Sequence, residues 1–191
     1  MTVMAKARSV RRSAVVCTSV LGLWGLAALA TAESKVSFAA HDVKTTFFIT
    51  KSENRNQVHY GVRTDAACVP RGDSPVFAYW QDLEDGPNAT SPILDHEQRA
   101  YGIETQSVIS RTTSGGSISL QHRALKGRPM RVDVSKDASG ACVATTLTRI
   151  DGKRAKLDRA HLEIGFLQLK KLTLYGHALK DGKAVEESLK P

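Results

Sequence analysis

Short segments in which apolar and polar residues alternate recur along most of this chain, and turn-forming pairs separate them. Gln57–Thr64 shows the pattern: Val58, Tyr60 and Val62 share one face, and His59, Gly61 and Arg63 share the other. A period of two belongs to a half-buried strand and not to a helix. Thr45–Ser52 precedes that segment across Glu53-Asn54-Arg55-Asn56, and Val76–Trp80 follows it as a nearly continuous apolar run. From Ile103 onward the rhythm is regular, with breaks at Ser114-Gly115-Gly116, Lys126-Gly127, Ser139-Gly140, Asp151-Gly152 and Asp181-Gly182. Asp-Gly between alternating segments marks a tight hairpin, because a type I′ turn needs positive φ twice. Consecutive hairpins predict a mainly β fold: one antiparallel meander over residues 43–190, forming a sandwich or an open barrel. Ile93–Tyr101 is the exception and predicts one short helix near 93–101.

The first 32 residues read differently. Lys6, Arg8, Arg11 and Arg12 precede an uncharged stretch, SAVVCTSVLGLWGLAALATA, which ends in Ala30-Thr31-Ala32 before Glu33. A basic start, an apolar middle and a small-x-small end are the parts of a secretory signal peptide, with cleavage expected after Ala32. Residues 33–42 then form an N-terminal linker. Removing four basic residues and no acid lowers the formal net charge from +8 to +4. The remaining basic residues, among them Arg128, Arg149 and Arg154, are scattered and form no block interleaved with aromatics, so nucleic acid is not an expected partner. No further stretch is apolar enough to cross a membrane after cleavage.

Two cysteines survive cleavage, Cys68 and Cys142. In an oxidising compartment an even, small number of cysteines predicts one disulfide, and the spacing fits no paired metal-ligand pattern. Closing a loop of this length stabilises a fold by roughly 3–4 kcal/mol.

Catalytic motifs are missing: no GxSxG elbow, no GxxxxGK[ST] phosphate loop, no HExxH helix. No metal or cofactor is therefore expected, and no catalytic residue is assigned. The densest polar cluster runs from Lys51 to Tyr60, where Lys51, Ser52, Asn54, Asn56 and His59 gather at one hairpin end. As a structural element it is a turn whose amides and hydroxyl satisfy their own backbone. As a recognition surface it offers charge and hydrogen bonds to an anionic or sugar-like ligand.

The blocks FFITKSENRNQVHYGV, PVFAYW and EQRAYGI carry a resemblance. Phe47-Phe48, Ser52, Asn54, Asn56 and Tyr60 stand where the pattern of domain of unknown function 4833, a family of exported bacterial proteins, has them. The resemblance extends over about residues 43–190. It implies an exported single domain and no particular reaction, and it groups Ser52, Asn54, Asn56, Trp80, Glu97 and Tyr101 into one site. The resulting expectation is a periplasmic or extracellular envelope protein that binds a small ligand or an envelope component without catalysis. The alternative is a hydrolase acting on cell-wall or glycan material, with Glu97, His59 and Lys51 as its chemical groups. Glycoside hydrolysis would need a second carboxylate about 5–10 Å away, for which Asp82, Glu84 and Asp95 are the candidates.

Overall fold

Asp151 and Gly152 both adopt positive φ, 51° and 71°, as a two-residue type I′ turn demands. They join β8 (Cys142–Ile150) to β9 (Lys153–Gly165), the longest strand of a computed structural model that describes residues 35–125, 127–166 and 168–190. The expected signal peptide and its cleavage site lie outside the described residues. In chain order the other elements are β1 (Val43–Lys51), β2 (Gln57–Val62), β3 (Val76–Gln81), β4 (Thr90–Pro92), α1 (Gln98–Tyr101), β5 (Ile103–Thr112), β6 (Gly115–His122) and β7 (Met130–Lys136), then β10 (Gln168–Ala178) and β11 (Ala184–Leu189). The expected short helix is thus present but reduced to four residues. No helix among the described residues is long and apolar enough to cross a membrane.

The strands form one sheet that divides at β9, in the order β4-β3-β2-β1-β9-β8-β7-β6-β5, with β10 and β11 branching from β9. This corrects the expected antiparallel meander, because β1 runs parallel to β9. The reason is the length of β9. Its first residues, Lys153–Lys156, pair with β8 across the hairpin, whereas Arg159–Leu162 pair with Phe48–Lys51 of β1. The other edge of β9 is taken by β10 throughout. Turn signals report only which neighbours in the chain pair, so this return of the first strand leaves no local trace.

The two wings, β1–β4 and β5–β8, bury a common core. Phe47 and Ile49 of β1 join Val58, Tyr60 and Val62 of β2, with Ile118 and Leu120 of β6 and Val132 of β7 opposite. Phe47 stacks on Tyr60 with ring centroids 4.3 Å apart, and both meet the His122 ring edge-on. β4 pairs only with Tyr79–Gln81, and the uncovered start of β3 approaches the edge strand β5 without pairing. Instead the Gln106 side chain accepts from Val76 N–H (2.8 Å) and donates to Val76 C=O (3.0 Å), reproducing one rung of a ladder. A single amide satisfies the edge locally, so the sheet is not closed into a barrel. The Gly115-Gly116 pair, expected to form a turn, lies in β6. A Cβ at Gly115 would stand 2.2 Å from the Val134 carbonyl oxygen, so close strand approach explains the glycine there.

Cys68 and Cys142 form a disulfide with Cα atoms 5.2 Å apart, tying the β2–β3 loop to the start of β8 and so one wing to the other. Its sequence separation of 74 residues makes the closed loop long, and the chain-entropy relation gives about 4 kcal/mol. The Cys68→Ser/Cys142→Ser double variant is therefore expected to lose about 4 kcal/mol in urea unfolding, and the denatured, unreduced wild type to show no free thiol at these positions. A loss below 1 kcal/mol would mean that the disulfide does not restrain the wings.

Candidate functional site

The inner face of the first wing ends in Lys51 on β1 and Trp80 on β3, and both positions follow from strand alternation. Phe47, Ile49 and Lys51 share a face, and Trp80 is cross-strand from Val58. The Lys51 ammonium lies 4.7 Å from the Trp80 ring centroid, a cation–π distance. The Trp80 indole N–H donates to Glu97 Oε2 (2.9 Å), and the same oxygen accepts from Leu94 N–H (2.9 Å). Glu97 therefore fastens the turn before α1 to β3. Tyr101, at the end of α1, packs edge-on against Trp80 at 5.3 Å. Burial, with the negative charges of Glu97 and Glu53 adding to it, pushes the Tyr101 hydroxyl up to about 12.

Four of the sequence-selected residues thus meet: Lys51, Trp80, Glu97 and Tyr101. The others are differently placed. Ser52 Oγ accepts from Ile164 N–H (2.9 Å) and its own N–H donates to Leu162 C=O (3.0 Å), so it extends the β1–β9 seam. Asn56 Oδ1 accepts from Glu84 N–H (3.1 Å) and ties the hairpin to the β3–β4 loop. Asn54 Oδ1 is buried without a partner among the described residues, an arrangement that costs free energy unless something donates to it. His59 points to the opposite face of the sheet, stacked on Phe48 at 5.2 Å. Its Nδ1 meets the Thr45 hydroxyl at 2.8 Å and its Nε2 the Gln57 side-chain Oε1 at 2.9 Å, and burial brings its pKa down to about 4. Among the described residues no group of three or more His, Cys, Asp or Glu side chains is arranged to hold a metal.

Behind the Trp80–Tyr101 contact lies a buried polar node. Ala124 N–H donates to His122 Nδ1 (3.1 Å), which leaves the imidazole proton on Nε2, 2.6 Å from the Tyr60 oxygen. The Tyr60 hydroxyl then donates to the Tyr101 carbonyl (2.7 Å). Every polar atom of the node is used only if His122 is neutral. Burial holds its pKa at about 4, the Tyr101 backbone pulling weakly the other way.

Elsewhere in the sheet is a cavity of about 1100 Å³ that sequence reasoning did not find. Its floor is apolar: Leu125, Met130, Leu169, Leu172 and Leu189. Leu125, Met130 and Leu172 are at most 4% exposed, so the cavity reaches the core. Its rim is cationic, with Arg123, Arg128, Arg131, Arg149, Arg154 and Lys190 against one lining carboxylate, Glu187. Glu187 is already committed: Arg128 donates to both of its oxygens at 2.8 Å, and Asp151 N–H donates to one. The Arg128 guanidinium foremost, opposed by burial and aided by Asp151 N–H, keeps this carboxyl below the usual range. The arginines read as scattered because β-pairing brings distant positions together. Arg149 is cross-strand from Arg154, and Arg131 from Leu147 two residues away. The available signal was the recurrence of arginine near the ends of predicted hairpins between 123 and 154.

A family model described as a domain of unknown function, DUF4833, matches residues 47–188. The chain belongs to the DUF4833 family. The matched span takes in the parallel β1–β9 seam, the Trp80–Glu97 link, the disulfide and most of the cavity lining. No curated protein and no solved structure matches the chain.

The neutral His122 makes stability pH-dependent with a definite sign. An unfolded histidine titrates near 6.5 and this one at about 4, so below pH 6.5 the unfolded state binds the extra proton. Stability is then complete above pH 6.5 and falls as pH drops toward 4, by on the order of 2–3 kcal/mol from His122. His59 acts in the same direction. Urea unfolding at pH 7.0 and 4.5 should show this loss, and His122→Gln should reduce it by about half. An equal loss in both proteins would contradict the assignment.

Proposed function

We propose that the protein is exported and acts outside the cytoplasm as a non-enzymatic binding domain whose ligand occupies the cavity. The observation that carries this reading is the cavity itself, an apolar floor reaching the core beneath a cationic rim, with a volume at the upper end of small-molecule sites. The disulfide suits an oxidising compartment, as does the signal-like N-terminus. Binding, and not turnover, fits the chemistry of the lining. Its one carboxylate is held by Arg128 and Asp151 N–H and is not free to exchange protons.

A second reading, hydrolysis of cell-wall or glycan material, is favoured by the convergence of Lys51, Glu97 and Tyr101 on Trp80. It places the chemistry at the hairpin end, around the Trp80 ring. It ranks lower because Glu97 Oε2 already receives two N–H donors and His59 faces away from the group.

Titration with the neutral fluorescent probe N-phenyl-1-naphthylamine separates the readings. Saturable enhancement at one site per chain is expected, lost in Leu169→Asp/Leu189→Asp and kept in Lys51→Ala. Enhancement that survives the leucine changes and disappears in Lys51→Ala would move the site to the hairpin end. No saturable binding would overturn the cavity reading.

A further inference from the structure

We infer that the cavity takes a single-chain anionic amphiphile as a dissolved monomer, with its chain on the leucine floor and its phosphate or carboxylate head on the arginine rim. This rests on the reading of the cavity as the ligand site and goes on to name the ligand's chemistry.

The rim is not uniformly satisfied. Arg128 is neutralised by Glu187, and Arg131 by Asp133, whose Oδ2 accepts from its Nε (3.1 Å) and Nη2 (2.6 Å). Arg149 donates only to the Gly152 carbonyl, and Arg123 and Arg154 make no ion pair among the described residues. Three guanidinium groups therefore face one cavity without a carboxylate between them. Guanidinium presents paired N–H groups in a plane that matches the oxygens of a phosphate or carboxylate, and weak hydration makes it the cation best suited to a partly desolvated site.

The floor sets the other half of the ligand. Leu125, Met130 and Leu172 belong to the core, and Leu169 and Leu189 pack against it. At the opening, Ile109 and Leu179 remain 59% and 48% exposed. Burial divides the lining in the same sense. Met130 and Thr148 are buried, whereas Arg131 and Arg149, one residue further on, are exposed to the rim side. A purely polar anion would leave the leucines wet, and a neutral lipid would leave the arginines unmatched. Only a molecule apolar at one end and anionic at the other satisfies both. The cations surround a concavity and do not form a flat basic face, which favours a monomer over the surface of a bilayer.

Calorimetric titration of the full mature chain tests this with four probes: decyl phosphate, octyl phosphate, decyl maltoside and inorganic phosphate, each amphiphile below its micelle concentration. Decyl phosphate is expected to bind one per chain, at least tenfold tighter than decyl maltoside or inorganic phosphate. Each buried methylene tightens binding about fourfold, so octyl phosphate should bind roughly tenfold more weakly than decyl phosphate. Raising salt from 50 to 500 mM should weaken decyl phosphate and leave decyl maltoside unchanged. The Arg123→Gln/Arg154→Gln variant, with both changes at exposed positions, should keep its melting temperature and lose tenfold or more in decyl phosphate affinity. Equal binding of decyl maltoside would overturn the anionic assignment while leaving the cavity a ligand site. Inorganic phosphate binding as tightly as decyl phosphate would overturn the chain. Flotation with phosphatidylglycerol vesicles, without monomer binding, would replace the monomer by a membrane. Failure of every probe to bind would remove the underlying reading as well.

Discussion

The double use of one edge of β9 is the constraint on which the rest of the molecule depends. A strand edge offers one set of N–H and C=O groups, and β9 divides that set between β8 at its start and β1 toward its end. Because β1 and β8 share an edge, the strands beyond them cannot lie in one plane. They form two wings whose inner faces must meet, and the Phe47–Tyr60–His122 contact is where they do. Thr46 and Thr146 mark the seam from both sides: Thr146 donates to Thr46 (3.0 Å), which donates to the Tyr60 carbonyl (3.2 Å). Buried hydroxyls in series make this seam specific, since a slip of one residue would orphan them.

Once the wings are set, their contacts differ from place to place. The start of β8 is fastened by the disulfide, and the uncovered start of β3 by Gln106. The hairpin end of the first wing is covered by α1, held through Trp80 and Glu97. The far end of β8 is tied to β11 through Glu187, which accepts from Arg128 and from Asp151 N–H, and there the cavity remains. The two regions are linked, because Arg123 N–H donates to the carbonyl of Gly102, the residue after α1 (3.2 Å). His122, one residue earlier, joins that point to Tyr60. A rigid polar node thus stands between the hairpin-end cluster and the arginine rim.

Much of this was legible along the chain, for reasons that particular residues show. Alternation at Val58, Tyr60 and Val62 identified a strand and its buried face, and the same alternation already set His59 on the opposite side from Trp80. Asp151-Gly152 identified its turn because both residues need positive φ. Asp181-Gly182 did not form the same turn, since only Gly182 adopts positive φ and the loop closes from Ala178 to Lys183. The Cys68–Cys142 bond was legible because the two cysteines outside the expected signal peptide leave one pairing. The β1–β9 seam was not, because it joins positions more than a hundred residues apart through backbone groups that every residue carries. The arginine rim was hidden for a related reason: Arg149 and Arg154 become neighbours only across a hairpin, and Arg123 joins them only through tertiary folding.

The β1–β9 seam is the keystone of the fold, and native-state hydrogen exchange read by peptide mass spectrometry tests that most directly. Amides of Phe48–Lys51 and Arg159–Leu162 should exchange together and be among the slowest in the chain, opening only with global unfolding. If the β1–β3 amides exchange as a separate, faster unit while β6–β9 stays protected, the wings are not held by β9 and the account is wrong.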